Sequence, residues 1–208
     1  MVPGAGTYDI RRHALLSDGN GGVFAALEGN NQGGTGYGIS VEHIDSTGVV
    51  ASGWSSYGTY LGRSNSAQYL AAMCSDGRGG VLVLAREEGS SGGHYLNGFV
   101  VRRVMGNGNL PTDWATDVLF DYSCIYYAPC LLPDDANGAT VLFNGCGGTR
   151  AFIVDSLGRI MAESSAGGRL IAVNNDAELG RRIVSDGQGG RYLVYCQDNR
   201  SEERRVGK

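Results

Sequence analysis

A single lysine, Lys208, stands in a chain of 208 residues that has only 4 prolines. Scarce proline, without a Gly-X-Y period, excludes collagen and proline-rich linkers. No apolar run is long enough to cross a bilayer as a helix, and the opening MVPGAGTYDIRRH lacks the apolar centre of a secretory leader. The 5 cysteines, Cys74, Cys124, Cys130, Cys146 and Cys196, contain no CxxC pair, which argues against a zinc site. Cys124 and Cys130 flank IYYAP and could bridge in an oxidising compartment, whereas Cys74 and Cys196 sit inside apolar strand runs and read as small buried residues. HExxH and GxSxG are missing, and the lone lysine is in no phosphate-binding loop. His13, His43 and His94 fall on different strands or loops, so no metal site is expected. The net charge of −4 opposes binding to nucleic-acid phosphates. These absences predict a protein without cofactor, metal, nucleic-acid partner or membrane span.

What the chain has in abundance is glycine, 35 residues, set among short apolar runs; hydrophobic residues reach 42%. That content is too apolar for disorder and matches an all-β protein with many turns. One phrase is written four times: LLSDGNGGVFAAL from Leu15, MCSDGRGGVLVLA from Met73, LLPDDANGATVLF from Leu131 and IVSDGQGGRYLVY from Ile183. A second turn alternates with it, as HIDSTGVVAS from His43, RVMGNGNLPT from Arg103 and IVDSLGRIMA from Ile153. Repetition at roughly 50–60 residues marks a repeat architecture.

The turns have a chemical reason for their composition. Reversal in so few residues needs positive φ, which glycine adopts freely and Asn or Asp tolerate. The carboxylates of Asp18, Asp76, Asp134 and Asp186 can accept turn amides. A calcium loop would need D-x-D-x-D-G spacing and a distal Glu, and DGNGG has neither. VFAAL and VLVLA are apolar at consecutive positions, so both faces of those strands should be covered. Small antiparallel sheets covered on both sides and repeated along a chain are what radially stacked blades produce. The expected fold is all-β, a partial β-propeller of about three and a half four-stranded antiparallel blades. The blades run roughly over 9–54, 66–117, 126–165 and 180–197, within an incomplete propeller spanning 1–199. VVASG, NLPTDW and RIMAES are taken as the fourth strands. The end, RSEERRVGK (200–208), resembles an adaptor-derived sequence and is expected to be an unstructured tail. Three and a half blades cannot close a ring, so the chain is expected to be a piece of a longer protein, with the remaining blades on the same polypeptide, and to be aggregation-prone in isolation.

RRIVSDGQGGRYLVY and HIDSTGVVASGW resemble the repeat of bacterial secreted or cell-surface β-propellers, an I-V-S-D-G-x-G-G hairpin followed by a D-x-x-G turn and an apolar–Trp strand. The likeness covers most of 11–197. It weakens where Pro133 and Asp135 replace Ser and Gly, and no Trp matches Trp54 and Trp114 in the third unit. The Ser-to-Gly spacing is also similar to the Asp-box hairpin of sialidase propellers, but the Asp is one position early and the Thr-Trp ending is missing. The resemblance implies an extracellular or cell-surface location.

Strand alternation puts the two tight turns of each unit on one face and the long connections on the other, where function usually lives. Tyr57, Tyr60, Tyr122 and Tyr126 are the candidate ligand-binding residues, flat surfaces for glycan or protein. Trp54, Trp114 and Tyr127 read as packing between blades. Glu87–Glu88 and Asp134–Asp135 are adjacent on strands or turns and point to opposite faces, which spoils them as acid/base pairs. The favoured expectation is a non-enzymatic extracellular or cell-surface module binding glycan or protein through its long-loop face. The alternative is a propeller-type glycoside hydrolase or lyase, whose acids would come from Asp113, Asp117, Asp121, Glu163 and Asp176.

Overall fold

The computed structural model describes residues 10–30, 37–62, 66–91, 94–114, 120–121, 125–134, 136–145, 148–161, 168–172, 182–186, 191–197 and 200–206. Among them the fold is all-β, and no helix is long and apolar enough to cross a membrane. The strands form four antiparallel sheets in chain order. The first holds β1 (Arg12–Ser17), β2 (Val23–Asn30), β3 (Tyr37–Ile44) and β4 (Thr59–Tyr60). The second holds β5 (Ser66–Ser75), β6 (Val81–Ser91), β7 (His94–Val104) and β8 (Phe120–Asp121). In the third are β9 (Ile125–Pro133), β10 (Ala139–Gly145), β11 (Gly148–Val154) and β12 (Arg169–Ala172), and in the fourth β13 (Arg182–Ser185), β14 (Arg191–Gln197) and β15 (Arg200–Val206). Each sheet is a meander whose strands pair with their neighbours in the chain.

The repeated turns are built as their composition demands. Asp18 donates its amide to the Gly22 carbonyl at 3.1 Å, and Asp76 and Asp134 do the same to Gly80 and Gly138 at 3.0 and 3.1 Å. The Asp18 Oδ1 atom accepts the amides of Asn20 and Gly22 at 2.7 and 2.8 Å. Asp76 Oδ1 accepts those of Arg78 and Gly80, and Asp134 Oδ1 those of Ala136 and Gly138. One carboxylate oxygen thus satisfies two amides that the reversal would otherwise strand. The fifth turn residue must be glycine for space: a Cβ on Gly22 would come within 2.6 Å of the Ile44 carbonyl, and one on Gly80 or Gly138 would overlap the carbonyl of Val104 or Val154. The residue before it needs positive φ, 88° at Gly21 and 82° at Gly79; the third copy uses Asn137 at 64°, the side chain that best tolerates the left-handed region. In the second turn family Asp45 accepts the amides of Thr47 and Val49, and Asp155 those of Leu157 and Arg159.

The first strand of each sheet contacts the first strand of the next, β1 with β5, β5 with β9 and β9 with β13. Side chains interleave at the seams. Val81, Leu82, Val83, Leu84 and Ala85 of β6 are all 0% exposed. Val81, Val83 and Ala85 join Phe24, Ile39 and Val41 in the core between the first and second sheets. Leu82 and Leu84 turn the other way, onto Val141, Phe143 and Phe152 of the third sheet. This strand is covered on both faces, as its unbroken apolar run predicts. In β2 the alternation is visible instead: Phe24 and Ala26 are buried, while Val23, Ala25 and Leu27 are only half-buried. The first sheet has a covered face and an open one.

Trp54 and Trp114 are 8% and 5% exposed, and each belongs to a seam. Trp54 Nε1 donates to the Gly106 carbonyl at 2.8 Å, and its indole lies over Gly108 in the turn of the following sheet. Trp114 lies over Gly158 in the same way, with Nε1 donating to the Val101 carbonyl at 3.0 Å. Cys74 is also in a seam; burial, reinforced by Asp76 and Asp134, pushes its thiol from the usual 9.0 up to about 12. The folded chain therefore holds it neutral where the unfolded chain ionises, so its contribution to stability is present below pH 9 and is lost as pH rises beyond. Iodoacetamide labelling at pH 8 with peptide mapping is expected to leave Cys74 unmodified until urea unfolds the chain; equal rates in folded and unfolded protein would refute this.

The stretches after the second turns do not form the fourth strands expected of them. VVASG makes one bridge, Ile44 to Val50, and the described part of RIMAES, Arg159–Met161, makes one, Val154 to Ile160, while the fourth strands are Thr59–Tyr60, Phe120–Asp121 and Arg169–Ala172. Trp54 closes a turn onto the Ala51 carbonyl and its indole leaves the ladder for the seam, and Pro111 has no amide to give one. The sheets accordingly extend over 12–60, 66–121 and 125–172, beyond the predicted unit ends. The end of the chain differs too. Arg200–Val206, expected to be an unstructured tail, pairs along β14 from Gln197↔Arg200 to Arg191↔Val206 and gives the fourth sheet a third strand. A charged edge strand satisfies the β14 backbone while discouraging further pairing.

Candidate functional site

The seam between the first and second sheets has two ends of different chemistry. At the tight-turn end Asp18 Oδ2 meets His43 Nε2 at 2.9 Å, and this contact together with the turn amides holds the Asp18 carboxyl below the usual range. The His43 ring stacks on Phe24, with centroids 4.1 Å apart, and Trp54 meets its face edge-on. The corresponding place in the second sheet pairs Asp76 with Arg103, through Nε at 2.8 Å and a terminal nitrogen at 2.7 Å. In the third sheet it is occupied by Ile153. This end is scaffold.

The opposite end, where β2 ends at Asn30 and β3 begins at Tyr37, is polar. Glu28 ends the buried row of β2 and is 2% exposed; its Oε2 accepts the Leu70 amide from the next sheet at 2.6 Å. Leu70 sits where the β5–β6 register shifts, and Arg12, cross-strand partner of Glu28, donates to its carbonyl at 3.4 Å. β5 is the edge strand of its sheet, and the two side chains satisfy the Leu70 amide and carbonyl there, beside the register shift. Deeper in, Glu87 is fully buried and accepts from Ser66 Oγ at 2.8 Å and Arg102 at 3.0 Å. Gln68, opposite it on β5, donates to the Leu61 carbonyl at 3.1 Å while its own carbonyl oxygen has no partner. Tyr60 closes this end: its ring lies over Gly38 and Gly62 with 42% of the residue exposed, and burial together with the Glu87 charge raises its phenol above the ordinary value.

Over the same end runs a ladder of guanidinium and ring. Arg11 sits 4.0 Å above the Tyr37 ring, Tyr37 and Tyr69 are 6.0 Å apart between centroids, and Arg86 lies 5.6 Å from Tyr69. Arg86 also meets Glu88. Arg11 is exposed and both tyrosines are half-buried, so the ladder crosses the seam within reach of solvent. No protein-family model, curated protein or solved structure matches the chain. The site therefore rests on its own geometry. Half-open rings offer stacking faces, and guanidinium groups offer planar donors for carboxylate, amide or hydroxyl oxygens.

Of the residues singled out from sequence, Tyr60 belongs to this end. Tyr57, 71% exposed, lies on the segment leading from the tight-turn end into β4, where its amide is held by Ser55. Tyr126 is on β9, within a strand whose side chains there are not described, and Tyr122 lies outside the described residues. Among the acids considered, Asp113 is exposed, the side chain of Asp121 is not described, and Asp117, Glu163 and Asp176 lie outside the described residues, as does the suggested Cys124 bridge. Glu87 and Glu88 do point apart, one buried and one on Arg86. Among the described residues no three His, Cys, Asp or Glu side chains come together as a metal site. Sequence reasoning missed Glu28, Gln68, Tyr37 and Tyr69. The signal was present as polar residues interrupting apolar strands at matched depth, VFAALE and SAQYL, but which sheet each would face was not.

Proposed function

We propose that the four sheets are blades of an incomplete β-propeller, about three and a half blades, and that the protein is a non-enzymatic extracellular or cell-surface module that binds glycan or protein at its long-loop end. The serial contact of β1, β5, β9 and β13 supports the radial arrangement, since it joins each sheet to the next in chain order, with β2 and β3 also packing on β5 across the first seam. The repeat resemblance supports the cell-surface reading. The observation that carries binding is the Arg11–Tyr37–Tyr69–Arg86 ladder lying open at that end. Binding is favoured over hydrolysis because the two buried carboxylates there are already committed, Glu28 to a backbone amide and Glu87 to Arg102 and Ser66. A glycosidase needs one acid free to donate and another free to attack or activate water.

The test is an array of soluble oligosaccharides, read beside a panel of chromogenic glycosides, for the wild-type chain and Tyr69→Ala. The expected result is retention of a subset of glycans, weakened roughly tenfold in Tyr69→Ala as one stacking contact is lost, without chromophore release. Turnover of any glycoside, or glycan retention indifferent to Tyr69, overturns the assignment.

A further inference from the structure

The ladder at the polar end of the first seam is rich in hydrogen-bond donors. The Cζ atom of Arg11 lies 4.0 Å from the Tyr37 centroid, and that of Arg86 5.6 Å from the Tyr69 centroid. Contact with a ring holds a guanidinium in place but offers it no lone pair. Each keeps five N–H groups in its plane for oxygen acceptors, more than one partner takes up. Arg86 stands opposite Tyr69 across the β5–β6 ladder, and one of its terminal nitrogens meets Glu88. Arg11 is exposed while Tyr37, Tyr69 and Arg86 are half-buried, so the row can be reached from solvent.

Charge at this end runs against that of the whole chain. Among the described side chains here, the guanidinium groups of Arg11, Arg12, Arg86 and Arg102 meet only the carboxylates of Glu28, Glu87 and Glu88. Glu28 and Glu87 are 2% and 0% exposed and are committed within the seam, to the Leu70 amide and to Ser66 and Arg102. The adjoining stretches 1–9, 31–36, 63–65 and 92–93, outside the described residues, add one charged side chain of each sign, Asp9 and Arg63. The excess is positive in a chain whose net charge is −4, and Arg11 and Arg12 are its exposed members. The tight-turn end has Asp18, Asp45 and Asp76 built into its bends instead. Two ends of opposite sign steer an anion to the ladder.

We propose that this end takes an acidic glycan whose sugar units carry carboxylates, with the Arg11 guanidinium pairing with the carboxylate and the half-open rings of Tyr37 and Tyr69 meeting the C–H face of the sugar. A planar guanidinium matches a carboxylate through two parallel N–H···O bonds. A hexuronate joins that carboxylate to a rigid ring with an apolar C–H face, so a single unit answers both the cation and the ring of the row. An acidic peptide divides the two functions between separate flexible side chains, and ordering them costs more. A neutral sugar supplies the face and leaves the positive excess unanswered. The proposal rests on the ladder being the binding end and adds the class of glycan it selects.

Titration calorimetry with galacturonate and alginate oligomers tests it, read beside their carboxyl-reduced counterparts and a polyglutamate peptide of matched charge. The proteins are the wild-type chain, Arg11→Gln, Arg11→Lys and Arg78→Gln. Arg78 is exposed on the Asp76 turn, so its loss makes the same change in charge at the other end; circular dichroism checks that every variant folds. The wild type is expected to bind an acidic oligomer roughly tenfold or more tightly than its reduced form or the peptide, with affinity falling as salt rises. Arg11→Gln is expected to lose about tenfold, Arg11→Lys to recover only part of it because the charge returns without the fork, and Arg78→Gln to match the wild type. Equal affinity for the reduced oligomers overturns the proposal and leaves glycan binding standing. Equal affinity for the peptide, or equal losses in Arg11→Gln and Arg78→Gln, overturns it in favour of a general attraction for polyanions. Absence of binding to every oligomer, acidic and neutral, overturns it together with the binding assignment.

Discussion

Asp76→Ala is expected to destabilise the chain by about 3–5 kcal/mol, the cost of stranding a buried partner charge, while the same change at Asp134 costs only about 1–2 kcal/mol. The two carboxylates look alike in sequence and hold their turns alike, each taking the amides two and four residues ahead. They differ in the second oxygen. Asp76 is 1% exposed, and its Oδ2 takes two nitrogens of Arg103, itself 8% exposed. Ile153 stands where Arg103 would be in the third sheet, so removing Asp134 leaves two turn amides without their acceptor but no guanidinium in the seam. Urea titration of both variants, with Asp76→Asn as an intermediate that keeps the turn acceptor and loses the charge, measures the difference. Equal losses at the two sites would show that the turn amides, not the ion pair, carry the energy.

Trp54→Ala is the second large effect, about 3–5 kcal/mol for an aromatic removed from a close-packed core. Trp54 fills the seam against Phe24 and His43 and rests on Gly108 of the neighbouring sheet, so its loss opens a cavity between two sheets instead of within one. Trp54→Phe keeps most of the volume and forfeits the bond to the Gly106 carbonyl, about 1 kcal/mol. Gly108→Ala attacks the same contact from the other side, because a Cβ there would come within 3.0 Å of the indole and φ is +81°. In a double-mutant cycle Trp54→Ala and Gly108→Ala should be strongly non-additive. Additive losses would mean that the indole stabilises its own sheet and not the seam.

The hairpins were legible because turn chemistry is local. Asp followed by glycines states both the reversal and the acceptor of its amides, and the third copy remains readable because Asn137 can take the left-handed place that glycine holds elsewhere. The two-sided burial of β6 was legible from Val81–Ala85 as an unbroken apolar run, and the burial of Trp54 and Trp114 from their place after each second turn. The fourth strands were not. VVASG has the composition of a strand, yet its neighbour Trp54 finds a better partner in the next sheet than the ladder offers, and propensity yields to that contact. Nor was the ladder at the long-loop end, since Arg11, Tyr37, Tyr69 and Arg86 come from four strands or their flanks and share no spacing.

Sequence alone determined the unit: an antiparallel meander with Asp-Gly bends at one end and an apolar centre, because hairpin geometry and strand alternation act over a few residues. Only the tertiary structure decided which faces meet, that Glu28 reaches across to the Leu70 amide, that Arg102 neutralises Glu87, and that Leu15 and Val184 are left uncovered. Those outcomes depend on the stacking of one sheet on the next, a packing of whole surfaces that no short stretch of chain encodes.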